Sequence, residues 1–165
     1  MFGIPFLHPV LVHFPVAFLM LSALTAFLWL SLGKPFWRRA TALLLLVGVL
    51  GGFAAYYTGD DVAEAFKDKP AVKVLVDRHE DAALWTMIMG CIAAAAFIAA
   101  NVSAADKERK GLDGPDRKPR IRALLFLLAL AAAVLVGYTG HLGGLMVWGT
   151  AHDAPPALAA PPARP

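Results

Sequence analysis

Cysteine and charge are what this chain has least of. Its single cysteine, Cys91, stands in the middle of an apolar run, so no disulfide can close within one chain and no zinc-ribbon spacing exists. There is no Cys-x-x-Cys-His, which excludes a covalently attached c-type haem. Charged residues make up only 16% of the chain and hydrophobic ones 59%, whereas a soluble domain carries about 25% charged residues. A Gly-rich phosphate loop, a Gly-x-Ser-x-Gly elbow and a His-Glu-x-x-His pair are all missing, and His79-Glu80-Asp81 lacks the second histidine. Enzymatic activity is therefore not expected. The formal charge of +3 does not point to nucleic acid, because the basic residues fall between apolar runs, where membrane topology accounts for them.

What the chain has is hydrocarbon. A bilayer core needs about 20 apolar residues in helical form, and four segments reach that length, at about 10–32, 40–59, 82–105 and 123–141. None contains Asp, Glu, Lys or Arg, and none alternates as the strands of a barrel would. No basic residue precedes the first segment, and its apolar run is long for a cleaved signal, so it is expected to stay as a helix. The fold class is thus all-α, an integral membrane four-helix bundle occupying residues 1–148. The Pro- and Ala-rich residues 149–165 form a disordered tail. The polar residues 106–119, with Gly and Pro, are expected to be a linker.

Charge orients the bundle. Lys34, Arg38 and Arg39 lie between the first two spans, and Lys107, Arg109, Lys110, Arg117, Lys118, Arg120 and Arg122 between the last two. The middle connection, residues 60–81, carries seven acids against four bases. Basic loops stay in the cytoplasm, so both termini and the middle connection are expected to face outward. Tyr56, Tyr57, Trp85, Tyr138 and Trp148 fit an outer aromatic belt, and Trp29 and Trp37 an inner one.

The second and fourth spans align without a gap. Arg39, Ala42, Leu43, Leu44 and Leu46 match Arg120, Ala123, Leu124, Leu125 and Leu127, and Tyr57-Thr58-Gly59 matches Tyr138-Thr139-Gly140. This reads as two helical hairpins in the same orientation, related by an axis along the membrane normal. His13 and His79 would then face each other across that axis, and each helix would set one potential ligand at the outer rim: His13, Asp60, His79 and His141. Val72, Val76, His79, Ala83, Thr86, Gly90 and Ala94 share one helix face, as do Gly48, Gly52, Ala55 and Gly59. Gly137, His141 and Gly144 make a third stripe. These small-residue faces are expected to pack against neighbouring helices. Pro15 should kink the first helix near its start.

All five histidines lie on the outer side. Three readings follow. One is a noncovalent b-type haem, with His13 and His79 as axial ligands and His141 next, carrying electrons near the outer face. Lys69, Lys73 or Arg78 would meet its propionates, and a redox partner or respiratory-type membrane complex would exchange electrons with it. The second is a copper, zinc or iron ion held by His13, His79, His141 and Asp60. The third is a cofactor-free structural or assembly subunit of a membrane complex, docking through the Gly/Ala stripes. Transport is disfavoured, since the spans contain no acid–base chain and four helices would have to form a homo-oligomer. By spacing alone His8 precedes the first span and reads as an interfacial residue, and His152 lies in the tail.

Two segments, Leu7-His8-Pro9-Val10-Leu11-Val12-His13-Phe14-Pro15 and Gly137-Tyr138-Thr139-Gly140-His141-Leu142-Gly143-Gly144, resemble a bacterial family of four-helix membrane proteins catalogued as domain of unknown function twenty-two thirty-one. The resemblance covers residues 7–148. It implies a four-span inner-membrane protein whose motif histidines correspond to His8, His13 and His141, which raises His8 to a candidate cofactor ligand. It supplies no activity.

The orientation has a direct check. Alkaline phosphatase fused at the C-terminal end should be active in cells, and the same enzyme inserted within residues 107–118 should be inactive. The opposite pattern would invert the topology.

Overall fold

In a computed structural model of the chain, residues 7–64, 70–112 and 118–146 are described. The elements are α1 (His8–Leu11), α2 (His13–Leu32), α3 (Pro35–Glu64), α4 (Pro70–Arg109) and α5 (Pro119–Gly144), with no strand among the described residues. Four helices are long and apolar enough to cross a membrane: His8–Leu32, Pro35–Gly59, Val72–Arg109 and Pro119–Gly144. Each packs on two neighbours in the cyclic order α2, α3, α4, α5, and diagonal pairs make little contact.

The helices outrun the apolar segments that predict them. Helix α4 has 40 residues, about 60 Å at 1.5 Å per residue, against a hydrocarbon thickness of about 30 Å. Much of the acidic connection is therefore helix, to Glu64 on one side and from Pro70 on the other. The segment expected to be a linker after residue 105 is helical through Arg109. Hydrocarbon sets a minimum length for a span and not its ends. The starts are marked instead by proline: α3, α4 and α5 begin at Pro35, Pro70 and Pro119, where the missing N–H costs nothing and the fixed φ suits the first turn.

Pro15 acts one turn before itself. Its ring displaces the carbonyl of the residue four positions earlier, which is Leu11, and the helix is interrupted at Val12, between α1 and α2. At the other end of α2, Gly33 takes a left-handed conformation (φ 67°) and returns its N–H to Trp29 O at 2.9 Å. The Arg122 guanidinium lies over this turn, with Nη1 3.4 Å from Trp29 O. A Cβ on Gly33 would come within 2.6 Å of that nitrogen. A cation at a helix C-terminus offsets the negative end of the dipole, so Arg122 ties α5 to the α2–α3 turn.

The exterior is as apolar as the interior. Leu24, Phe27, Leu43, Leu50, Phe53, Leu124 and Val134 are all at least half exposed, the pattern of helices whose solvent is lipid. Association then depends on close fit and interhelical hydrogen bonds rather than on exclusion of water. Ala26, Ala93, Ala129 and Ala132 are fully buried and let backbones approach. Trp29 and Phe97 fill the remaining volume edge to face, with centroids 5.6 Å apart. The expected small face of α3 is confirmed, with Gly48, Gly52 and Ala55 buried and Gly59 half-buried. The α4 stripe is too, with Val76, Thr86, Gly90 and Ala94 buried.

Polar side chains inside the bundle bond either to their own helix or across to the next. Thr41 Oγ1 lies 2.9 Å from Thr25 Oγ1 and joins α3 to α2. Thr86 Oγ1 and Thr139 Oγ1, 2.9 Å apart, join α4 to α5. Arg38, only 3% exposed, donates from Nε to Asn101 Oδ1 at 3.0 Å and joins α3 to α4. Such bonds contribute about 0.6 kcal/mol each in membranes, so they fix register more than they supply stability.

Two glycines separate fit from propensity. A Cβ on Gly48 would stand 2.9 Å from Leu19 Cδ2 and 3.3 Å from the Leu19 backbone nitrogen, and Leu19 is 1% exposed and cannot move aside. A Cβ on Gly137 would meet only Met20 Cε, at 3.5 Å. Gly48→Ala should therefore destabilise the detergent-solubilised protein by about 1–3 kcal/mol, as overpacking does. Gly137→Ala should be neutral or gain up to about 1 kcal/mol from helix propensity. Thermal melts of the two variants check this, and equal shifts would refute the packing argument.

Candidate functional site

The histidine-bearing end of the bundle is built by the two Tyr-Thr-Gly segments. In α3 the first of them ends the small face formed by Gly48, Gly52 and Ala55. The α1 segment packs against α3 at this end. His8, half-buried at the start of α1, turns onto α3, and its Nδ1 lies 2.8 Å from Ala55 O and 3.4 Å from Thr58 Oγ1. Its ring rests on Gly59, where a Cβ would come within 3.2 Å of Cε1.

The second hairpin repeats the arrangement. His79, half-buried on α4, has Nδ1 3.0 Å from Thr139 O of α5. Its ring rests on Gly143, where a Cβ would stand 3.4 Å from Cε1. Thr139 is held in turn by its 2.9 Å contact with Thr86. Thr58 and Thr139 occupy the same place in the repeat, but the bonded carbonyls differ by three residues, Ala55 O ahead of Thr58 in α3 and Thr139 O in α5. Within each segment the tyrosine turns away: Tyr57 is 85% and Tyr138 49% exposed.

The carbonyl partners decide the tautomer. A carbonyl oxygen can only accept, so the Nδ1 of His8 and of His79 must carry the proton. In the neutral ring the lone pair is then on Nε2. This is the state in which an imidazole binds a metal or haem iron, and a backbone carbonyl on the other nitrogen is the usual way proteins hold it.

The other expected ligands are arranged differently. His13 was the expected partner of His79 across the repeat axis. It is exposed, and its Nδ1 turns back to Pro9 O of its own chain segment at 2.6 Å. His141 is exposed as well, not turned inward as its stripe suggests. The buried row of α5 runs through Ala129, Ala132, Ala133 and Val136, and a residue five places beyond Val136 lies about 140° round the helix. Asp60 is helical, with its side chain outside the described residues, as is all of His152. Among the described residues no group of three or more His, Cys, Asp or Glu stands close enough to hold a metal ion. Of the lysines and arginine suggested for propionates, Lys73 pairs with Asp77 at 3.2 Å, Arg78 is exposed, and Lys69 lies outside the described residues.

Spacing alone missed His8, because it lies ahead of the apolar run and outside the repeat. The signal that could find it is the His-Pro at the start of the first motif, where Pro9 occupies the first turn of α1.

The chain belongs to the DUF2231 family, described as predicted membrane proteins, whose pattern it matches over residues 3–153. No curated protein and no solved structure matches it.

The tautomers can be read directly. Nitrogen-15 NMR of histidine-labelled protein without added cofactor, above pH 7, should show His8 and His79 protonated at Nδ1 and bare at Nε2. Proton-bearing Nε2 on either ring would contradict the geometry.

Proposed function

We propose that this membrane protein binds a b-type haem at its extracytoplasmic end, with His8 and His79 as axial ligands, and passes electrons to and from partners at that face. The observation that carries this is the matched pair of imidazoles, each anchored through Nδ1 to a backbone carbonyl (Ala55 O at 2.8 Å, Thr139 O at 3.0 Å). Each ring thereby keeps an Nε2 lone pair for iron. Haem needs only one or two protein ligands, commonly histidine. A protein-bound zinc ion needs three or four, and the described residues gather no such group. The haem reading therefore asks less of the side chains present than the metal-ion reading does.

In this role Thr58, Thr139 and Thr86 are positioning residues that steady the carbonyls and rings. The glycines under the imidazoles, Gly59 and Gly143, let the rings lie flat against α3 and α5. When bound, the haem supplies one-electron chemistry, and the protein sets its ligands and its access to partners. A single haem near one face would exchange electrons at that face rather than across the bilayer, since the described histidines, His8, His13, His79 and His141, lie toward one end of the bundle.

The test is the absorption spectrum of protein purified in mild detergent from haem-replete cells, oxidised and then reduced with dithionite. A Soret band with sharp reduced α and β bands is expected. It should be lost or broadened in His8→Ala and in His79→Ala, and retained in His13→Ala and His141→Ala. A featureless spectrum, or one that both of the first two variants leave unchanged, would refute the proposal.

A further inference from the structure

At the opposite, arginine-rich end, α3 and α4 part on the outside of the bundle. They leave a groove of about 400 Å³ lined by Arg39, Ala42, Ile98, Asn101, Val102 and Ala105. Its two parts differ in character. The walls are apolar: Ile98 is 42% and Val102 64% exposed, and from Ala105 to Ile98 they run two helical turns, about 10 Å, toward the membrane centre. The mouth is polar and basic. Arg39 stands there with its side chain 67% exposed, 4.0 Å from Glu108, itself 78% exposed.

An exposed pair at that distance is worth little, so the guanidinium is available to a better partner. A phosphate would be one, because it accepts two parallel N–H bonds from an arginine fork. Behind the mouth Asn101 is already committed, accepting from the buried Arg38 Nε at 3.0 Å and donating to Phe97 O at 2.8 Å. The floor is therefore held rigid, and the Arg38 charge adds to the positive field at the mouth.

An occupant must be negative at one end and apolar along the rest, at the depth where helices leave the hydrocarbon. We infer that this groove binds an anionic phospholipid, with its phosphate at Arg39 and an acyl chain along Ile98 and Val102. A second copy of the chain fits less well, since the same face at the same depth would bring Arg39 against Arg39. Basic pockets between helices at the cytoplasmic interface are suited to such headgroups. The inference is independent of the histidine end.

Native mass spectrometry tests it, on protein released from mixed micelles holding equal amounts of dioleoyl phosphatidylglycerol and dioleoyl phosphatidylcholine. The wild type should retain phosphatidylglycerol about fivefold over phosphatidylcholine, the discrimination one arginine gives at an anionic membrane surface. Arg39→Gln should bring the ratio near one. Val102→Trp, which fills the groove and leaves the charge, should lower retention of both lipids. Arg120→Gln, an exposed arginine on α5 outside the groove, should keep the preference. Equal retention by the wild type would overturn the inference, as would an unchanged preference in Arg39→Gln. So would displacement of the lipid by millimolar inorganic phosphate, or a lipid-free dimer in place of the lipid-bound monomer.

Discussion

A backbone carbonyl in hydrocarbon has no water to bond, and this one constraint shapes the molecule from its length to its site. It requires each span to be a continuous helix, because only a helix satisfies its own backbone within one segment. It also governs the polar side chains that enter the bundle. Ser22 and Thr25 return their hydroxyls to carbonyls three or four residues back, and Thr41 donates to Thr25 Oγ1 at 2.9 Å. Arg38 and Arg122, which cannot lose their charge, sit at the arginine-rich end, where carbonyls and side-chain oxygens accept from them.

The same constraint makes the histidine end chemically useful. A side-chain donor that reaches a second bond to a helical carbonyl takes up its remaining lone pair. Ala55 O accepts from His8 Nδ1 at 2.8 Å while Thr58 returns its hydroxyl to Ala54 O at 3.0 Å, and Thr139 O accepts from His79. These bonds hold the rings and set their tautomer together. They need close approach, which is why the residues beneath the rings are Gly59 and Gly143. A Cβ at Gly59 would crowd the His8 ring at 3.2 Å, and one at Gly143 would stand in ordinary contact with His79 at 3.4 Å. In α3 the glycine beneath His8 is Gly59 of the Tyr-Thr-Gly segment, and in α5 the glycine beneath His79 is Gly143, three residues past that segment.

Hydropathy made the four spans legible, because lipid demands length and apolarity from every span alike. The small faces of α3 and α4 were legible too, from glycine and alanine at steps of three and four. Helix ends were not, since composition changes at the membrane boundary while the helix continues, as α4 does past His79 toward Pro70. The prolines at positions 35, 70 and 119 held that information. His79 lies half-buried on the face its stripe predicts. Periodicity did not single out His8, because it lies ahead of the apolar run, and only the His-Pro motif raised it. His13 is exposed and bonds back to Pro9 O. His141 was misplaced because Gly137 and Gly144 suggest a stripe that the buried row through Val136 does not follow.

The account rests on His8 and His79 acting as a pair on one iron. Low-temperature electron paramagnetic resonance of the oxidised protein, purified from haem-replete cells, tests this most directly. It should give a low-spin ferric signal of the kind two imidazoles produce, converting to high spin when His8 is replaced by alanine. A ferric signal that is high-spin from the start, one indifferent to His8→Ala, or none at all would contradict it.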